Sequence, residues 1–492
     1  MPDVWSPKPG DKVFHPRRIT GFHLKRVLGV PGLFSAGYGD VGSSIYYALG
    51  IVALVALGAT PIALGAAGLI YVFNVLTYAE GGAMIPEAGG SASFARHGFN
   101  NTIGFIAGWA LMLSYIVTMA ISAYTIPPYL SHFWPILHNS SVSTTVAIGI
   151  IGFLMLINVL GVRESTRLNI LFICLDIAVQ VAIIVIGVIL ILSVNPGVLI
   201  HNMFGAGNWP STPNLIMGIA IAALCFTGVE TVSQLAEETQ KPNERIPHAY
   251  ILMIIVVLVL FAGISLVALS AMTPQQLGDP INGWARDPIA GIAANLPSET
   301  LRSIFEPLVS LLAATILLTA TNAGLLGISR LTYNMSSHKQ LPSILGKIQS
   351  HFRTPYIAIT IFCGITILLL LPGYTNPNFF ADLGALYVFG SLLCFALAHA
   401  SILALRINKP DLPRPFKIGW NIHIKGKQLP LSAILGLLTT FGIWMVIMVT
   451  QPFSRWAGLV WMAGGLFIFL IVQLFRGRKS EQDEWQIKRI KE

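Results

Sequence analysis

Apolar residues run through this chain in long blocks separated by short polar stretches. Blocks such as VQVAIIVIGVILIL do not alternate apolar and polar positions, so they suit helices and not the strands of a membrane barrel. A helix needs about 20 mostly apolar residues to cross the hydrocarbon layer. The pattern predicts about twelve crossings: Val30–Leu57, Pro61–Ile85, Ile103–Leu130, Val142–Val162, Leu168–Val194, Leu215–Leu235, Ala249–Met272, Ile304–Tyr333, Tyr356–Leu371, Ala381–Leu405, Leu429–Val449 and Trp456–Leu474. Between Thr273 and Arg302 the segment WARDPIAGIAANL predicts a short helix in the longest loop.

Composition agrees. The 492 residues are 54% hydrophobic and only 10% charged, where a soluble protein carries about 25% charged residues. The expected fold class is an all-α integral membrane protein. The net charge of +9 does not indicate nucleic acid, because the basic residues are scattered at the ends of apolar segments. With the N-terminus inside, alternate loops collect Arg96, Arg163, Arg167, Lys241, Arg245, Arg330, Lys339, Lys347, Arg353 and the stretch Arg406 to Lys427. Only Arg286, Arg302 and Arg455 fall on the other side, and a miscount of one crossing would spoil this asymmetry. The expectation is a multi-pass protein of the cell membrane with both termini cytoplasmic. Four cysteines lie inside apolar segments and read as small core residues, so no disulfide, metal site or cofactor is expected.

Two of the segments are interrupted. The first contains GYGDVGSSIYYALG, where Gly39, Gly42, Ser43 and Ser44 surround Asp40. The sixth contains ALCFTGVETVSQLAEE, where Gly228 sits between Thr227 and Glu230. In lipid an unsatisfied backbone group costs several kcal/mol, so a helix is broken at depth only where the freed groups line a cavity or meet a ligand. Two interrupted segments five helices apart are the signature of an inverted-repeat transporter with a site at the bilayer midplane. Half-helix N-termini there can hold a carboxylate, and freed carbonyls can hold an ammonium or a metal cation.

Five further stretches carry a resemblance: FTGVETVSQLAEETQKPNERIPHA, PEAGGSASFARHGFN, GVRESTRLN, SRLTYNMSSHKQLP and PDLPRPFKIG. In this order they resemble the amino acid–polyamine–organocation superfamily of LeuT-type fold, over nearly the whole chain. The resemblance implies two five-helix inverted repeats, residues 30–194 and 215–405, with helices 1 and 6 broken. It adds two trailing helices in 429–474, between cytoplasmic ends at 1–29 and 475–492. It implies a substrate carboxylate at Gly42, Ser43, Ser44 and Ile45, and an α-amine at Phe226, Thr227 and Gly228, with Tyr115 lining the site. Glu230 would act in gating or proton coupling. The position that holds a lysine in some proton-coupled members is Asp176 here, a further carboxylate for a proton or cation. One departure is Asp40: GDVGSSIYY resembles the first-helix motif of the potassium-uptake branch, which implies Asp40, Tyr47 and Thr227 as cation ligands. Against that, Ser114 stands where that branch has a second aspartate.

No nucleophile–base set and no phosphate-binding glycine loop is present, so catalysis is not expected. The leading expectation is a secondary amino acid transporter, proton-coupled through Asp40, Asp176 and Glu230. The alternatives are a potassium importer and a carrier of polyamines or other organic cations. Expected partners are the small-molecule substrate, a proton and the lipid bilayer. Glu80, Asp382, Tyr387 and His399 are read first as structural residues.

Overall fold

The computed structural model describes residues 26–161, 166–193, 196–349, 351–352, 354–424 and 426–491. The expected ends at Val162 and Val194, and most of the expected segment 1–29, lie outside them. The first crossing is built from α1 (Val30–Val41), a 3₁₀ turn (Gly42–Ser44) and α2 (Ile45–Ala56), and the second is α3 (Thr60–Met84). Together they form an apolar stretch of 55 residues. That would span about 80 Å if straight, more than twice the hydrocarbon thickness. Leu57 divides it, with a positive φ of 47°. Ten more apolar helical stretches follow, which gives the twelve crossings.

These are α5 (Asn101–Leu130), α6 (Ser140–Val159), α7 (Thr166–Ser193), a sixth crossing in two pieces, α11 (Pro242–Ala271), α14 (Glu299–Ser337), α15 (Tyr356–Leu370), α16 (Phe379–Asn408), α17 (Leu431–Thr450) and α18 (Pro452–Lys491). The sixth consists of α9 (Thr212–Ala222), a 3₁₀ turn (Ala223–Phe226) and α10 (Glu230–Gln234). Short helices α4 (Ser91–Gly98), α8 (Pro196–Phe204), α12 (Pro274–Gly278) and α13 (Pro288–Ala294) lie in the connections. The last is the short helix expected in the longest loop.

The inner bundle is α5 packed on α14 and α16, beside α3 packed on α11. Small residues let these backbones approach closely. A Cβ on Gly327 of α14 would stand 2.7 Å from the Tyr115 ring, and one on Gly390 of α16 would stand 3.0 Å from the Ala110 carbonyl. Helices α17 and α18 sit outside, with Leu438, Phe441, Val449, Val460, Phe467 and Leu474 exposed as a lipid-facing side.

Four details depart from the pattern reading. The stretch after α16 ends in a hairpin, β1 (Asn421–Ile424) against β2 (Lys427–Pro430), paired Asn421↔Pro430 to Ile424↔Lys427. Its strands are too short to register as apolar blocks. Helix α11 begins at Pro242, because PNERIPH is polar yet helical, with Pro242, Ile246 and Pro247 buried. Helix α18 continues as far as Lys491. Cys174 is exposed on α7, whereas Cys225, Cys363 and Cys394 are buried as expected.

Candidate substrate and ion site

The interruption in the first crossing is slight. Gly42 has φ −66° and ψ −30° and Ser44 has φ −67° and ψ −25°, so the chain tightens without leaving the helical region. Gly42 is required because the Tyr38 ring lies 2.6 Å from where its Cβ would be. The Ser43 hydroxyl donates to the Asp40 carbonyl at 2.7 Å. The Ser44 hydroxyl lies within reach of two carbonyls, Val41 of its own helix and Cys225 of the sixth crossing.

The sixth crossing is fully broken. Thr227 is extended, with φ −82° and ψ 162°, and Gly228 has φ +97°. That φ favours glycine, and the space does too: a Cβ there would lie 2.7 Å from the Asp40 Cγ. The Thr227 hydroxyl closes the end of the 3₁₀ turn by donating to the Leu224 carbonyl at 2.8 Å. The Phe226 ring packs away from the break, 5.2 Å from Tyr71 and 5.3 Å from Phe261.

The break in one crossing thus meets the carboxyl of the other. Asp40 Oδ2 accepts from the Thr231 hydroxyl at 2.5 Å. Asp40 Oδ1, both carboxyl oxygens of Glu230, the Tyr115 hydroxyl and the Ser114 hydroxyl are buried with no hydrogen-bond partner. Asp40 and Glu230 are close enough to repel each other. Tyr115, Tyr387 and Tyr47 are buried in the same core. Such groups cost free energy unless a ligand, water or ion satisfies them. The arrangement can hold a positively charged group between two carboxyls, with hydroxyls around it.

Asp176 is placed differently. Its carboxyl accepts from Tyr46, from Tyr38 at 3.2 Å and from Gln180 at 2.8 Å. Tyr38 and Tyr46 belong to α1 and α2, so this carboxyl ties α7 to both halves of the first crossing. It shares no hydrogen-bond donor with Asp40. Glu80 is held by Arg406 at 2.7 and 2.6 Å and by the Ile418 N–H at 3.0 Å. His399 lies between Thr77 and Asn74, each at 2.8 Å. Asp382 accepts from Asn376 at 2.9 Å near the start of α16. Among the described residues no group of three or more acidic, histidine or cysteine side chains could hold a metal ion.

Asp40, Tyr47, Tyr115, Glu230 and Tyr387 are all at most 2% exposed, so the arrangement is closed at both faces. On the face bearing residue 26, Leu28 bridges to Thr239 and Arg330 pairs with Glu238 at 2.8 Å. Glu87 lies nearby. Burial alone would raise its pKa, but the hydrogen bond from His97 and the charges of Arg96 and His97 outweigh it and hold it at about 2. On the opposite face Arg286 donates to the His138 carbonyl at 3.1 Å and to Ser143 at 3.0 Å, with its guanidinium 5.1 Å above the Tyr124 ring. Beside it, burial pushes Asp287 up to about 7, against the pull of Arg286. Tyr129 closes the seam, donating to the Tyr46 carbonyl at 2.8 Å and accepting from the Ile289 N–H at 3.3 Å.

The sequence profile described as Amino acid permease matches residues 28–473. The chain belongs to the amino acid permease family. Among relatives of this permease, the branched-chain amino acid permease BcaP of Bacillus subtilis is 26% identical over 91% of this chain and 93% of that protein. The methylthioribose transporter of the same organism is also 26% identical, over 91% and 93%. The mouse Asc-type amino acid transporter 1 is 24% identical over 84% of this chain and 74% of its own.

Sequence reasoning missed several residues of the permease's centre. Thr231 grips Asp40 and lies one turn past the broken glycine, a spacing that could have marked it. Tyr38, Tyr46 and Gln180 around Asp176 left no signal beyond their burial, although Gln180 follows Asp176 by one helical turn.

Proposed function

We propose that this permease is a secondary active transporter of amino acids in the cell membrane, working by alternating access around the two breaks. The N-terminal face is cytoplasmic in this reading, following the basic loops. The observation that carries it is the set of buried, unpartnered acceptors, Asp40 Oδ1 and both oxygens of Glu230, beside the broken Thr227–Gly228 backbone. The substrate's ammonium is received there, between the carboxyls and the carbonyls of Phe226 and Thr227. Its carboxylate is received at Gly42, Ser43, Ser44 and Ile45 once the 3₁₀ turn opens, because the Ser43 and Ser44 hydroxyls are engaged with carbonyls in the closed state. Tyr115 lines the site. The names of the branched-chain and Asc-type relatives support an amino acid substrate.

Transport is coupled to protons through Glu230 and Asp40, with Asp176 as a relay between α7 and the first crossing. A carboxyl at membrane depth is the usual vehicle for a transported proton. The test is uptake of a labelled amino acid mixture into proteoliposomes with an inward proton gradient. Accumulation that collapses with an uncoupler supports the reading, and accumulation indifferent to the uncoupler removes the coupling. Glu230→Gln is expected to abolish gradient-driven uptake.

A second reading is import of potassium or of an organic cation, with Asp40, Tyr47 and Thr227 as ligands. It is favoured by the buried Asp40 carboxyl, whose Oδ1 has no hydrogen-bond partner. Rubidium uptake that is lost in Asp40→Asn, without amino acid uptake in the parent, would select it.

A further inference from the structure

The hairpin after α16 presents an apolar face that nothing in the bundle covers. Trp420 is 82% exposed, the highest value of any large apolar side chain among the described residues. It is held outward by a left-handed backbone, φ 51°, a conformation in which a bulky residue is an outlier. Side chains two apart on a strand share a face, so Ile422 and Ile424 lie together, 40% and 46% exposed. Asn421 turns the other way, donating to the Ile418 carbonyl at 3.0 Å and accepting from Arg406 at 3.3 Å.

Two contacts fix the depth of this face. The Leu431 N–H donates to the Trp420 carbonyl at 2.9 Å, and Leu431 opens the membrane-spanning α17. Lys427 reaches the Ile407 carbonyl at 2.7 Å, at the end of α16. The hairpin is therefore tied to the ends of two crossing helices, where Ile407 and Leu435 are exposed as well. The surroundings are basic. From Lys409 to Lys427 the chain carries Lys409, Arg414, Lys417, Lys425 and Lys427 against the single acid Asp411. Arg414 stands 3.7 Å from Glu80, whereas Lys409, Lys417 and Lys427 reach only the neutral acceptors His97 O, Gln428 Oε1 and Ile407 O.

We propose that this hairpin is an interfacial anchor. Trp420, Ile422 and Ile424 enter the boundary between headgroups and acyl chains, and Lys409, Lys417 and Lys427 meet the phosphates of anionic phospholipid. Indole rings favour that layer, and basic residues are drawn to an anionic leaflet. Partial burial and the charges of Arg406 and Arg414 hold the Lys417 pKa below its ordinary value, consistent with a local surplus of positive charge that an anionic headgroup relieves. A lipid surface is the better match, because the hairpin is tethered at the ends of two crossing helices and combines exposed apolar side chains with a basic surround.

The test uses the full chain carrying Cys174→Ala, so that no exposed native thiol remains. Spin labels are placed singly at Ile422→Cys, His423→Cys and Ile424→Cys. The protein is reconstituted into vesicles of phosphatidylcholine, with or without phosphatidylglycerol. Labels at 422 and 424 are expected to collide more with oxygen than with a water-soluble nickel chelate. The label at 423 is expected to show the reverse, and phosphatidylglycerol is expected to deepen the first two. Three labels alike in nickel accessibility would overturn the anchor. Labels at 422 and 424 shielded from both reagents would overturn it in favour of a covering protein, such as a second copy. Equal depth in the two vesicle types would overturn the role of anionic lipid. Agreement between the 422 and 424 labels guards against a local folding defect at either one.

Discussion

Gly228→Ala tests whether the two crossings meet as described. Alanine at φ +97° is strained by about 1–3 kcal/mol. Its Cβ would also fall 2.7 Å from the Asp40 Cγ and 3.0 Å from Oδ2. Real Cβ atoms do not come so close to another side chain, so the Asp40 carboxyl must move. It then loses the 2.5 Å hydrogen bond from Thr231, which for a charged acceptor contributes about 1.5–3 kcal/mol. The expected loss is the sum, about 2.5–6 kcal/mol. In an Asp40→Ala background only the backbone strain remains, about 1–3 kcal/mol. The two changes should therefore couple by about 1.5–3 kcal/mol, within the usual range for residues in contact. The assay is a double-mutant cycle of unfolding free energies in mixed detergent micelles. Gly149→Ala is the control, since nothing lies within 4 Å of a Cβ there and a mid-helix alanine is favoured over glycine by about 0.5–1 kcal/mol. If Gly228→Ala costs the same with and without Asp40, the contact between the breaks is refuted.

Glu80→Gln leaves the buried Arg406, 3% exposed, without its counter-charge. Breaking such a pair typically costs about 3–5 kcal/mol, and an unfolding free energy within about 1 kcal/mol of the parent would remove the pair's structural role. Asp176→Asn is expected to keep the fold, because an amide can still accept from one tyrosine, but to reduce proton-driven uptake; unchanged uptake would exclude it as a relay. Stability should respond to pH at the two faces with opposite sign. Asp287 has a raised pKa in the folded state, so its contribution is full below about pH 4 and is lost as the pH rises through about 7. Asp287→Asn should flatten that decline in thermal unfolding. Glu87 is lowered from 4.5 to about 2, so its contribution is full above about pH 4.5 and fades as the pH falls through about 2. Glu87→Gln should remove that acid-sensitive part.

The architecture was legible because lipid imposes it: each crossing must be a long, mostly apolar block, and the full break in the sixth needs glycine. Gly228 marked the break in the sixth crossing. The degree of breaking was not legible. The glycines and serines around Asp40 look like a wider rupture than ALCFTGVE, yet the first crossing only tightens while the sixth unwinds. The difference lies in tertiary contacts, since the Tyr38 ring occupies the space beside Gly42 and hydroxyls of Ser43 and Ser44 return to nearby carbonyls. The partners of Asp176 were hidden for the same reason: Tyr38 and Tyr46 are separated from it by 138 and 130 residues. Asn100 caps α5, accepting from the Ile103 N–H at 3.0 Å.

The distribution of the four thiols gives the protein its own clock. Cys225 is buried in the turn beside the sixth break, while Cys174 looks outward from the bundle. With Cys174 replaced, the alternating access proposed above predicts that a small thiol reagent arriving from one aqueous side reacts at Cys225 only while that side is open. In a variant that also lacks Cys363 and Cys394, the rate of that reaction, measured from each side with and without substrate, tests that mechanism with no reporter added to the chain.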